Sequence, residues 1–162
     1  MIHTAFIGVG SNLDSPKENC AEAIQRISKL SDCCFLSQSF FYQTAPLGDT
    51  DQEWFVNAAL QIETDLDPVQ LLEALIDVEQ AMGRTFRRKW GPREIDLDLL
   101  FFDDLILQSE LLQIPHPELH KRRFVLEPLN DLAPDWIHPE LRQSIQELLK
   151  ALPPGQEALR MD

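Results

Sequence analysis

Asp96 and Asp98 stand two residues apart in "WGPREIDLDLLF", residues 90–101, inside a run that otherwise reads as a buried strand. Carboxylates are among the last groups to be buried without partners. Strand periodicity is two, so Ile95, Leu97, Leu99 and Phe101 share one face and the two aspartates the other. Their α-carbons would then lie about 7 Å apart, and the charges would repel by about 2 kcal/mol at an effective dielectric of about 20. A divalent cation turns that cost into affinity, and carboxylates combined with substrate phosphates are the usual Mg²⁺ site. The bland alternative is a pair of solvated aspartates. Five of the 14 Lys and Arg residues, Arg84, Arg87, Arg88, Lys89 and Arg93, fall just upstream, and Lys121, Arg122 and Arg123 are consecutive. Solvated loop charge is one reading of such clusters. Beside paired carboxylates they suggest phosphoryl or nucleotidyl transfer, with arginine forks meeting phosphate oxygens.

Other residues have types suited to the same chemistry. Phe55 and Asn57 alternate with the apolar positions of "EWFVNAALQIE", and an aromatic ring beside an amide makes a platform for a flat, hydrogen-bonding heterocycle. A solvent-facing pair on an ordinary strand is the alternative. Glu79 falls in a row with Leu72 and Ile76 at the edge of an apolar stripe, where it could accept from a sugar, a loop arginine or a structural partner. His116, between Pro115 and Pro117, has a restricted backbone and could contact phosphate or be structural. "GVGSNLD" has G-x-G, but Leu13 stands where a dinucleotide fingerprint needs Gly or Ala, and no G-K-[ST] follows. Its glycines are expected to permit close approach at a strand end.

The elements that must position these groups are legible in outline. Residues 3–10 read as a first strand. "SPKE", residues 15–18, reads as a helix start with Ser15 as cap, Pro16 first in the helix and Glu18 completing a capping box, and Cys20, Ile24 and Ile27 carry that helix to about Leu30. Residues 33–43 and 53–63 read as strands, the latter with Trp54, Val56, Ala58, Leu60 and Ile62 on its core face. "DPVQ" at 67–70 starts a second helix with the stripe Leu71, Leu75, Val78 and Met82, ended by Gly83. The strand 94–102 follows. The order β-α-β-β-α-β is the ferredoxin-like arrangement, with two helices on one face of an antiparallel sheet. Residues 103–115 read as a short hairpin. The proline-rich remainder reads as irregular until a helix near 140–151. There is no internal repeat and no linker, so one domain over 1–162 is expected.

Composition narrows the function classes. Forty-four per cent hydrophobic and 25% charged residues are ordinary for a globular domain. A net charge of −13 argues against a nucleic-acid or anionic-membrane surface. No apolar stretch reaches membrane-span length, and "MIHTAFIGVG" lacks signal-peptide features, so a cytoplasmic protein is expected. Three cysteines at these spacings suit neither a disulfide framework nor structural zinc; reduced thiols are expected.

Six stretches together resemble the 6-hydroxymethyl-7,8-dihydropterin pyrophosphokinases of folate biosynthesis: "GVGSNL", "YQTAPLG" (42–48), "FVNAAL" (55–60), "MGR" (82–84), "WGPREIDLDLLFF" (90–102) and "IPHPELHKRRFVLEPL" (114–129). The resemblance implies an α+β ferredoxin-like sandwich, mainly antiparallel, with helices on both sides including a C-terminal extension. It implies transfer of pyrophosphate from ATP to the pterin hydroxymethyl group by attack on the β-phosphorus, leaving AMP. Asp96 and Asp98 would hold two Mg²⁺ ions with ATP. Arg84, Arg87 and Arg93 would stabilise phosphate charge, Arg88 being the alternative to Arg87. Glu79, His116 and Arg122 would contact the nucleotide. Phe55 and Phe124 would sandwich the pterin, Asn57 would bond it, Thr44, Ala45 and Leu47 would read its edge, and Trp90 would close over it beside Asp96. Ala45 stands where many members have proline, and Phe55 where tyrosine is frequent. The partners implied are ATP and the pterin, with a monomer expected. A non-catalytic small-molecule-binding module on the same fold is the alternative; it would not need both aspartates. A two-metal nuclease is a third reading, opposed by the net charge.

Overall fold

A computed structural model describes residues 1–45, 54–83 and 95–161. Its elements are β1 (His3–Ser11), α1 (Pro16–Ser28), β2 (Cys33–Gln38), β3 (Tyr42–Thr44), β4 (Phe55–Thr64), α2 (Pro68–Ala81), β5 (Asp96–Phe102), β6 (Leu107–Gln108), β7 (Gln113–Ile114), a 3-10 turn (Leu119–Lys121), α3 (Arg123–Leu132), α4 (Ile145–Lys150) and β8 (Ala158–Arg160). The main sheet runs β5-β1-β4-β3-β8, with β2 also on β4, and every pairing in it is antiparallel. The β-α-β-β-α-β core and the 103–115 hairpin are as expected from the sequence.

Four features differ from the sequence reading. The strand expected over 33–43 is two. Gln38 pairs with Leu60 and Tyr42 with Asn57, so three residues on one side face two on the other, with Ser39 bonded to both polar groups of the Ala59 backbone. That extra residue is a bulge, which bends the edge and ends β2. The Ser15 cap is absent. Ser15 takes a left-handed backbone (φ 59°) and makes no side-chain cap bond, while the Asn19 side chain donates to Leu13 and Asp14 carbonyls instead. Asp67 and Gln70 do form the reciprocal capping box on α2.

The third difference is in β5. Ile7 pairs with Leu99 but Phe6 pairs with Phe101, leaving Leu100 as an inserted residue. Beyond the bulge the alternation changes phase. Ile95, Leu97, Leu99 and Phe102 join the α1/α2 core, and Leu100 and Phe101 enter a second core on the opposite face. Phe101 therefore leaves the face that strict alternation assigned to it.

That second core is the fourth difference from the periodicity reading, and it is what the family resemblance implies, helices on both sides of the sheet. Residues expected to be irregular form α3, which with α4 covers Phe6, Ala59, Leu100 and Phe101. The helix near 140–151 is confined to Ile145–Lys150, and the final residues add β8. Helices thus cover both faces of the sheet.

Candidate active site

The candidate groups gather on the sheet's second face. Across five strands, Asp96, Gly10, Asn57, Tyr42 and Arg160 stand in one register row; Asp98, Gly8 and Ala59 stand in the next. Two glycines therefore stand between the carboxylates and the Asn57 and Ala59 positions. A β-carbon at Gly10 would lie 2.6 Å from Asn57 Oδ1, and one at Gly8 would lie 3.4 Å from Leu100 Cδ1. Close approach, expected from G-x-G, is real, and its object at Gly10 is a side chain.

Asn57 is buried and its Nδ2 donates to Thr44 Oγ1 at 2.6 Å, fixing the amide's orientation. Phe55, half-buried, pairs in register with Thr44. Ala45 follows directly, its N–H donating to Glu157. The Phe55 and Asn57 face is not the solvent-facing surface of an ordinary strand: α3 packs across it, carrying half-buried Phe124. Tyr42 anchors that helix by donating its hydroxyl to Asp131 at 2.8 Å, and Phe40 N–H donates to the same carboxylate. Burial, then Asp131, push the Tyr42 pKa up, so it remains a donor.

Asp96 and Asp98 are both half-buried on this face. Between them, the Leu97 N–H points off the outer edge of the sheet and donates to Glu79 Oε2 at 2.7 Å. Glu79, nearly fully buried, therefore holds the backbone of the carboxylate strand from α2. Among the described residues no group of three or more His, Cys, Asp or Glu could hold a metal ion. Two hard carboxylates alone fit Mg²⁺ only when substrate phosphates supply further oxygens, which is that ion's usual habit.

His116 is tied to the same strand: its N–H donates to the Leu100 carbonyl at the bulge, 3.1 Å. Its Nδ1 accepts from Glu118 N–H, leaving Nε2 as the donor of the neutral ring. Burial, and then the Arg122 guanidinium, hold its pKa below the usual histidine value, with Asp96 and Glu118 opposing. The sequence H-P-E-L recurs at 138–141 and builds the same turn, His138 Nδ1 accepting from Glu140 and Leu141 N–H. That echo, unremarked in the sequence, marks the first copy's local fold as a general turn.

The three consecutive cations divide their work. Arg123 donates to Gly155 and Pro153 carbonyls, and Lys121 pairs with Glu118 at 3.5 Å. Arg122 lies beside His116, its guanidinium 5.7 Å from the Phe124 ring centre. Leu47, Arg84, Arg87, Arg88, Trp90 and Arg93 lie outside the described residues. The three cysteines are free; burial pushes Cys20 to about 12, an inert thiol. Sequence reasoning missed Tyr42 and Asp131, which the seven-residue spacing from Phe124 to Asp131 could have suggested, and Gln156, for which no local signal exists.

A family model for 7,8-dihydro-6-hydroxymethylpterin-pyrophosphokinase matches residues 6–134. The chain belongs to that family. A 2-amino-4-hydroxy-6-hydroxymethyldihydropteridine pyrophosphokinase of Haemophilus influenzae is 44% identical over 147 residues, covering 91% of both chains. Its Pseudomonas aeruginosa counterpart is 40% identical over 153 residues, covering 94% of each. In structure, a Plasmodium falciparum HPPK-DHPS with pteroate superposes on 93% of this chain with a TM-score of 0.74 at 16% identity. The match spans 42% of that longer chain, and at this identity it shows the fold alone. This pyrophosphokinase is thus an enzyme of folate biosynthesis on the ferredoxin-like fold, and the non-catalytic alternative is not favoured.

Proposed function

We propose that the enzyme joins the hydroxymethyl oxygen of 6-hydroxymethyl-7,8-dihydropterin to the β-phosphorus of ATP. The bond from that phosphorus to the AMP oxygen breaks, AMP leaves, and the hydroxyl proton is released. One observation supports this reading above others. Asp96 and Asp98 share a face with Asn57, and the two glycines between them let the Asn57 amide lie against the strand that carries them.

On the pterin side, Phe55 and Phe124 supply flat apolar faces, and Asn57, fixed by Thr44, supplies an oriented amide. The backbone at Thr44 and Ala45 is offered to the ring edge, and the family resemblance adds Leu47 and Trp90 to the pterin contacts. On the nucleotide side, His116 donates from Nε2 and Arg122, with Arg84, Arg87 and Arg93, meets the phosphates. Glu79 completes the nucleotide contacts while fixing the backbone between the carboxylates. Asp96 and Asp98 would hold two Mg²⁺ ions, which when bound offset phosphate charge and orient the reacting oxygens. The protein works as a cytoplasmic monomer.

With Mg²⁺, ATP and the reduced pterin, the products should be AMP and the pterin diphosphate in equal amounts. Formation of ADP, or ATP breakdown without pterin, would sink the assignment. Asp96→Ala and Asp98→Ala should each lower kcat/KM by about a hundredfold or more, some ~3 kcal/mol of transition-state stabilisation. Near-normal rates in both would remove the metal role.

A further inference from the structure

Arg122 is the residue on which α3 begins, and it lacks the support such a position normally has. Its backbone is extended (φ −118°, ψ 109°), it ends the 3-10 turn and it precedes α3, and its side chain makes no capping bond. The first N–H groups of a helix need acceptors from elsewhere. Here the acceptor comes from 33 residues downstream: Gln156 Oε1 accepts from Arg123 N–H at 3.0 Å. The same amide group turns its Nε2 onto the Lys121 carbonyl at 2.9 Å. One side chain therefore grips the chain immediately before and immediately after Arg122.

The segment that carries Gln156 is itself fastened. Arg123 bonds Gly155 and Pro153 carbonyls, Ala45 N–H reaches the Glu157 carbonyl at 3.4 Å, and Ala158–Arg160 pair with Tyr42–Thr44 as β8. Gln156 holds a left-handed backbone (φ 53°), between Gly155 (φ 115°) and the start of that pairing. A glutamine has no steric reason to sit there. The strained position aims its amide at the two peptide groups that flank Arg122.

We propose that Gln156 is a positioning residue for Arg122: its amide fixes the extended backbone from which the guanidinium reaches ATP phosphate beside His116. This rests on the ATP role proposed for Arg122. The bonds lie at an exposed side chain, so their loss should alter local geometry more than global stability.

Gln156→Gly removes the amide and suits the positive φ, so it should fold normally. Gln156→Asn keeps an amide on a residue tolerant of that backbone, one carbon too short to span both groups. Each variant should weaken binding of a non-hydrolysable ATP analogue about tenfold, leave pterin affinity unchanged and keep the unfolding midpoint near that of the parent. In an Arg122→Ala background, Gln156→Gly should cause no further loss, because it acts through the missing guanidinium. Parent-like analogue binding by both variants overturns the inference, as does a Gln156→Gly effect of equal size with and without Arg122; neither result touches the role of Arg122. An Arg122→Ala variant that binds the analogue normally removes Arg122 from the ATP site and the inference with it.

Discussion

At the scale of single residues, absence of a side chain matters as much as its presence. Gly10 faces Asn57 so closely that a methyl group there would stand 2.6 Å from Oδ1. Gly10→Ala should force the amide away from Thr44, cost about 1–3 kcal/mol of stability and weaken pterin binding about tenfold, with ATP binding unchanged. Separate fluorescence titrations of the two ligands would check this; intact pterin affinity would remove Asn57 as an anchor. His116 gives a prediction in pH. Its folded pKa lies below the unfolded value because of burial and Arg122, against the pull of Asp96 and Glu118, and burial lowers His138 in the same direction. The unfolded chain therefore binds more protons below about pH 6.5. Stability should be full above that pH and fall as pH drops through it. Replacing His116 by Gln should flatten part of that fall in thermal unfolding curves; an unchanged slope would show that the ring is not held neutral. Asp96, Asp98, Asn57 and His116 were all legible as candidates, since polar types at strand spacing or between prolines stand out. The Leu97 N–H as the partner of Glu79 was not legible, because no sequence signal tells which backbone donor an edge strand turns toward a helix.

Elements place these residues by departing from ideal geometry. The regular pieces were readable: Asp67 with Gln70 at the start of α2, the Leu71–Leu75–Val78 stripe, and the strict alternation of β4. α3 was not, because Pro128 lies inside it and a mid-helix proline normally ends a helix. Burial of Leu126 and Leu129 in the second core outweighs that penalty, and such tertiary support is invisible in a local window. The same helix carries Phe124, the second ring proposed for the pterin, so its seating should matter to binding. Tyr42→Phe deletes the hydroxyl that bonds Asp131, leaving that carboxylate the Phe40 N–H. We expect a loss of about 1–3 kcal/mol in denaturant unfolding and a higher pterin KM with kcat little changed. A variant with wild-type pterin KM would mean that α3 is seated by its apolar contacts alone.

For the molecule as a whole, the sheet has one face fully committed to packing and another divided between packing and the candidate site. The α1/α2 side is a continuous core, whereas α3 and α4 cover Phe6, Ala59, Leu100 and Phe101 on the face that also carries Asp96, Asp98 and Asn57. The first layer was legible from amphipathic stripes; the second was hidden in a proline-rich segment without a clear period. The net charge of −13 accompanies a local concentration of cations near the carboxylates in sequence, which focuses anion attraction without making the surface basic. The inserted Leu100 reconciles these demands. In β5 it works as a phase shifter: before it the strand alternates between the α1/α2 core and the two carboxylates, and after it between the two hydrophobic cores. Length changes on either side of that residue are therefore not equivalent. Deleting Leu100 would restore simple alternation, with Asp96, Asp98 and Phe101 on one side and Leu97, Leu99 and Phe102 on the other, at the cost of the Leu100 packing in the second core. The strand's tolerance to insertion or deletion is set by that single unmatched position, although Leu100 itself carries no chemistry.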